Sequence, residues 1–164
     1  MDDEIDRAAA RLRAVRPSLD TSTLGLSERV LRLARHLEIG RREVLRACDI
    51  EVWEYEVLMA LRSAESPSGL SPSALMAATQ VASGTMTNRI DRLVGHGFVT
   101  REPDPADRRG VLVRITAAGR RRFDQAAAGI ADAEATLWDG LPQRRREQLT
   151  MILREMLAAI EASG

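Results

Sequence analysis

Between Leu70 and Gly119 the chain reads as a series of elements whose order few folds use. Ser71 is an N-cap with Pro72 at the first helical position, and Leu75 and Met76 give the short helix Pro72 to Ala78 a buried side. Thr79 and Gln80 connect it tightly to a second helix, Ala82 to Val94. There Met86, Ile90, Leu93 and Val94 recur at offsets of four, seven and eight, and Gly95 to Gly97 end the helix. Phe98 to Glu102 and Gly110 to Ile115 then read as two strands joined by a proline-containing, charged loop. Thr116 caps a long helix, Ala117 to Trp138. Two short helices in a tight turn make a helix-turn-helix, and the hairpin beside it makes a wing.

The flanking segments are helical. Ile5, Ala8, Leu12 and Val15 place an amphipathic helix over Asp3 to Arg16, stopped before Pro17, with a linker from Ser18 to Gly25. Ser27 opens the next helix, which runs to about Ala47 with Gly40 weakening its middle. Glu51 to Arg62 carries Val52, Tyr55, Leu58 and Met59 at helical offsets, and Ser66 to Gly69 break the chain. Sparse apolar positions Phe123, Ala127, Ile130 and Leu137 line the Ala117 to Trp138 helix, and Gly140 stops it. Pro142 begins a last helix whose stripe of Leu149, Ile152, Leu153, Met156, Leu157 and Ile160 is wider than a short solvent-facing helix needs. The fold class is mostly α with a small two- or three-stranded β wing, a winged helix-turn-helix with long terminal helices. The division expected is 1–50 for the N-terminal helices, 51–116 for the winged helix-turn-helix and 117–164 for the C-terminal helices.

Charge supports a nucleic-acid partner once its distribution is considered. The formal net charge is zero, yet Val81 to Arg122 holds nine arginines against Asp91, Glu102, Asp104 and Asp107, a local charge of +5. A basic face on a neutral chain still attracts phosphate. All 24 basic residues are arginine, which points first to codon bias and second to bidentate phosphate recognition. The apolar runs are too short to span a bilayer and the N-terminus is acidic where a signal peptide would be basic, so a cytoplasmic protein with no membrane partner is expected. Cys48 is the only cysteine and, with His36 and His96, completes no metal-ligand pattern. Paired carboxylates, a Ser/His or Cys/His set and a phosphate loop are likewise missing, so neither catalytic residues nor a cofactor or metal is assigned.

The Ala82 to Val94 helix suits a duplex. Its small polar residues Ser83, Thr85, Thr87 and Asn88 can approach base edges and phosphates in a major groove, and Asn88 can pair adenine in a bidentate way. Ser83 and Gly84 let the helix N-terminus come close to a phosphate. The run from Val81 to Gly119, with Gly84-Thr-Met-Thr-Asn-Arg-Ile-Asp-Arg-Leu93, the wing tip Asp107-Arg108-Arg109 and the opening Ile115-Thr-Ala-Ala-Gly119, resembles the recognition helix and wing of the MarR family. Trp53-Glu-Tyr-Glu-Val-Leu58 and Gly69-Leu-Ser71 extend the resemblance, which covers roughly residues 26–160.

The resemblance implies a bacterial, cytoplasmic homodimer whose first and last helices interleave, a repressor holding double-stranded operator DNA until a small aromatic or acidic effector releases it. It implies DNA contacts from Ser83, Gly84, Thr85, Thr87, Asn88, Arg89 and Arg92, and a minor-groove contact from Arg108 or Arg109 braced by Asp107. Effector-lining candidates are His36, Trp53, Glu56 and Arg89. Within the family the chain looks most like the urate-responsive branch, through Arg16-Pro-Ser-Leu-Asp20, but carries Leu12 where that branch has Trp and Ala77 where it has Arg. The alternative functions are a winged-helix protein-interaction module and a redox regulator acting through Cys48.

Overall fold

The computed structural model describes residues 3–21, 23–64, 69–107 and 110–163. Two compact units, Met1–Glu43 and Val44–Gly164, make up the chain.

In the first unit α1 (Glu4–Val15) starts on a reciprocal cap. Asp3 Oδ1 accepts the Ile5 and Asp6 amides at 2.9 Å, and Asp6 Oδ2 accepts the Asp3 amide at 3.2 Å. Arg29 of α2 (Leu24–Ala47) binds the same two carboxylates at 2.8 and 2.9 Å, and Arg32 reaches Glu4 at 3.2 Å. These neighbours hold Asp3 and Asp6 below the ordinary aspartate range, Asp3 chiefly through the Asp6 amide and Asp6 chiefly through Arg29. The α2 helix begins at Leu24, three residues before Ser27, so the linker is shorter than the sequence predicts. Gly40 does not interrupt it: a Cβ there would meet nothing, and the helical hydrogen bonds carry the backbone past its extra freedom.

The second unit builds the core. It contains α3 (Val52–Ser63), α4 (Pro72–Thr79), α5 (Ser83–Gly95), β1 (Val99–Pro103), β2 (Val111–Ile115), α6 (Ala117–Trp138) and α7 (Gln143–Glu161). The apolar faces of α3, α4 and α5 meet in Val57, Leu58, Leu75, Met86, Ile90 and Leu93, all fully buried with Val99 and Val113 of the hairpin. Burying each such side chain contributes about 1.5–3 kcal/mol. Tyr55 stacks on Phe123 with ring centroids 5.1 Å apart, joining α3 to α6. Val94, which its spacing places on the buried side of α5, is 40% exposed, because the buried face is carried by Met86, Ile90 and Leu93 and Val94 lies one position further round the helix. Ser71 Oγ accepts the Ala74 amide at 3.2 Å and starts α4 as its sequence requires. Gln80 closes the turn between α4 and α5 in the left-handed conformation (φ +53), with its amide on the Met76 carbonyl.

The sheet has two antiparallel strands, paired from Val99 with Ile115 to Pro103 with Val111. An isolated bridge adds Leu70, which exchanges backbone hydrogen bonds with Val113 at 3.0 and 2.8 Å. Gly69 makes that approach possible: its φ is +92 and a Cβ would stand 2.4 Å from the Val113 carbonyl oxygen. At the other edge Thr116 caps α6 by accepting the Gly119 amide at 3.0 Å, and its hydroxyl donates to the Gly97 carbonyl at 2.8 Å. A Cβ at Gly119 would lie 2.2 Å from the Phe98 carbonyl oxygen, so the Thr-x-x-Gly opening fastens the wing root to α6. Among the described residues no helix is long and apolar enough to cross a membrane.

Candidate DNA-binding surface

The α5 helix presents two unlike faces. Met86, Ile90 and Leu93 anchor it in the core, while Ser83, Gly84, Thr85, Thr87 and Asn88 stand exposed on its first two turns. No side chain caps its N-terminus, in contrast to α1, α4 and α6. The first amides and the positive end of the helix dipole therefore face outward. A Cβ at Gly84 would meet nothing within 4 Å, so no packing within the chain demands a glycine there. The Thr87 hydroxyl donates to the Ser83 carbonyl at 3.2 Å, which leaves its oxygen as an acceptor and its methyl group as contact surface.

The second half of α5 is engaged within the chain. Asp91 pairs with Arg101 of β1 at 2.7 Å, and Arg92 pairs with Glu51 at 2.8 Å while lying 4.7 Å from the Trp53 ring centroid. Arg89 is half-buried, 5.6 Å from the same ring and 3.7 Å from Glu56, with its Nη1 atom buried and making no hydrogen bond. The Trp53 indole N–H donates to Glu51 at 2.7 Å and, with Arg92, holds the Glu51 carboxyl below the usual glutamate range. Glu54 is buried, 2% exposed, and its carboxylate accepts the Glu51 amide at 2.9 Å and meets His96 Nδ1 at 2.7 Å.

Thus Trp53, Glu56 and Arg89 of the effector candidates come together, whereas His36 belongs to the first unit, beside Leu12 on a groove between α1 and α2 of about 680 Å³. Sequence reasoning missed Glu51, Glu54, Asp91, His96 and Arg101 as tethers. The Glu51/Glu54 spacing of N-cap and N3 positions was a usable signal for one of those contacts.

At the wing the strands are held by Arg114 and Glu102 at 3.1 Å. Asp104 Oδ1 accepts the Ala106 amide at 2.8 Å, and the Gly110 amide donates to the Asp107 carbonyl at 2.8 Å, which fixes the described part of the tip. Arg108 and Arg109 lie outside the described residues. Arg120 and Arg121 are exposed in the first two turns of α6, with no ion-pair partner among the described residues. Cys48 is buried in the core, and its carbonyl accepts the Arg122 guanidinium. A buried thiol is poorly placed to meet an oxidant.

A family model described as the MarR family matches residues 49–110, the span from the start of α3 to the wing tip. The transcriptional repressor NicR of Pseudomonas putida is 30% identical over 153 residues, covering 89% of this chain and 93% of that protein. The chain belongs to the MarR family. Its winged helix is the DNA-binding architecture of MarR-family transcription regulators. A cysteine-to-serine mutant of Escherichia coli MarR complexed with operator DNA superposes with a TM-score of 0.68 at 27% identity, over 85% of this chain and 99% of that one. CouR of Rhodococcus jostii RHA1 bound to p-coumaroyl-CoA gives a TM-score of 0.65 at 25% identity, over 85% and 91% of the two chains.

Proposed function

We propose that this MarR-family chain binds a pseudopalindromic operator as a homodimer, represses transcription there, and is released by a small aromatic or acidic effector. The observation that carries the reading is the exposed, uncapped first half of α5, where Ser83, Gly84, Thr85, Thr87 and Asn88 have no packing role beside a wing rooted by Gly69 and Gly119. Ser83 and Gly84 would meet a phosphate through backbone amides, and Asn88 would read a base edge. Arg108 or Arg109 would enter the adjacent minor groove, with Asp107 as brace.

Residues 1–50 and 117–164 are assigned to dimerisation, an assignment supported by the uncovered apolar face of α7. Arg89 and Trp53, with Glu56, are the candidate contacts for a planar anion, supported by the buried, unsatisfied Nη1 of Arg89. Urate is not the expected effector, because Leu12 and Ala77 replace the residues of the urate-responsive branch.

A retarded band on a fragment of the chain's own upstream region, at moderate salt and in excess random DNA, tests the reading. Equal retention of operator and random fragments would overturn sequence-specific regulation.

A further inference from the structure

The first turn of α3 holds the last turns of α5. We propose that Glu51, Trp53 and Arg92 form a positioning clamp that sets the angle at which α5 enters DNA, so that Arg92 acts through helix orientation and not by touching the duplex. The inference rests on the DNA-binding reading above.

The geometry is a closed triangle. The Glu51 carboxylate accepts the Arg92 guanidinium on one oxygen at 2.8 Å and the Trp53 indole N–H on the other at 2.7 Å, and the guanidinium lies 4.7 Å from the indole centroid. A planar guanidinium held by both a ring face and a shared carboxylate has one orientation, which a lone surface ion pair lacks. Arg89 covers the same ring at 5.6 Å, so one indole serves two successive turns of α5. His96, directly after α5, meets buried Glu54 of that same α3 turn. From the wing side, Asp91 is drawn to Arg101. The helix dipoles agree with the arrangement, since Glu51 and Glu54 sit at the α3 N-terminus and Arg92 in the last turn of α5. The charged groups of the second half of α5 are thereby committed to two different elements, and the polar residues left untethered to another element are those of the first half. Bidentate reading of a base needs a fixed helix position, and this clamp supplies the fixing.

The test titrates wild type, Trp53→Phe, Trp53→Ala, Arg92→Ala and the double alanine variant by fluorescence anisotropy. The probes are a duplex that the wild type selects from a random pool and an unselected duplex, at several salt concentrations. Trp53→Ala and Arg92→Ala should each weaken the selected duplex by about 5- to 20-fold, with random-DNA affinity and salt slope unchanged. Trp53→Phe should restore most of the loss, and the double variant should be no weaker than the weaker single, the signature of one shared device. If Trp53→Ala fails to fold, Glu51→Gln opens the same triangle and should give the same pattern. A salt slope shallower by about 1.8 for Arg92→Ala would make it a phosphate contact in both subunits. That result, multiplicative losses in the double variant, or Trp53→Ala and Glu51→Gln behaving as wild type would each overturn the clamp. A wild type that selects no sequence would instead overturn the functional reading itself.

Discussion

Glycines 84 and 119 are the same residue type used for opposite reasons. At Gly119 a Cβ would stand 2.2 Å from the Phe98 carbonyl oxygen, so Gly119→Ala must push the turn that leads into β1 away from α6. The expected cost is about 1–3 kcal/mol, read as a fall in melting temperature of several degrees. At Gly84 a Cβ meets nothing in the chain, and alanine is the better helix former by about 1 kcal/mol. Gly84→Ala should therefore melt at or above wild type, yet bind operator about tenfold more weakly if the backbone there meets a phosphate. Unchanged affinity would remove Gly84 from the interface. Asn88→Ala should lose about 1–3 kcal/mol of discrimination at one base pair per half-site while random-DNA affinity holds. Equal losses on both DNAs would move Asn88 to the phosphate backbone. The Thr116-Ala-Ala-Gly119 motif is legible in the sequence as a pattern. Its cause, a carbonyl oxygen from a loop 21 positions earlier, is set by tertiary packing that periodicity does not encode.

Helices and strands were legible to within a few residues because caps and breakers are local: Ser71 with Pro72, Thr116, and Pro142 act on adjacent backbone. The tethers between elements were not, because Glu51 with Arg92 and Asp91 with Arg101 depend on which helix faces meet. In α1 a local signal and a tertiary contact coincide, since Asp3 and Asp6 form the cap and also receive Arg29. Both aspartates are held below the ordinary value of 3.8, so folding releases protons there. Stability from this contact is complete above about pH 5 and is lost as pH falls through the lowered folded values. Hydrogen exchange in α1 should accelerate relative to α3 as pH is taken from neutral to about 3, after correction for intrinsic exchange. Arg29→Ala should show the loosened α1 already at neutral pH. Protection in α1 that is independent of both pH and Arg29 would show that the capping box alone holds the helix.

In the molecule as a whole, α7 presents an apolar face that no described residue buries. The helix buries none of its residues, and Ile152, Met156, Leu157 and Ile160 form a stripe in which Ile160 is 65% exposed. The sequence already showed a stripe too wide for a solvent-facing helix, and the core of the second unit does not satisfy it. Soluble proteins rarely leave a contiguous apolar face of this kind in water. In the proposed homodimer a second copy is the cover, because a symmetric pair would bury the same stripe twice with no further component. Removing residues 148–164 should therefore convert a dimer into a monomer or an aggregate in light scattering. Tight operator binding should be lost with it, since two half-sites need two linked recognition helices. Leu153→Glu with Leu157→Glu is the finer test, because it keeps the helix and its length while placing four like charges in a two-fold interface. That variant should be monomeric and folded, with random-DNA binding retained per subunit and operator affinity reduced at least a hundredfold, about 2.8 kcal/mol. A full-length chain that is monomeric at micromolar concentration and still binds its operator tightly would show that α7 is covered by something other than its own copy.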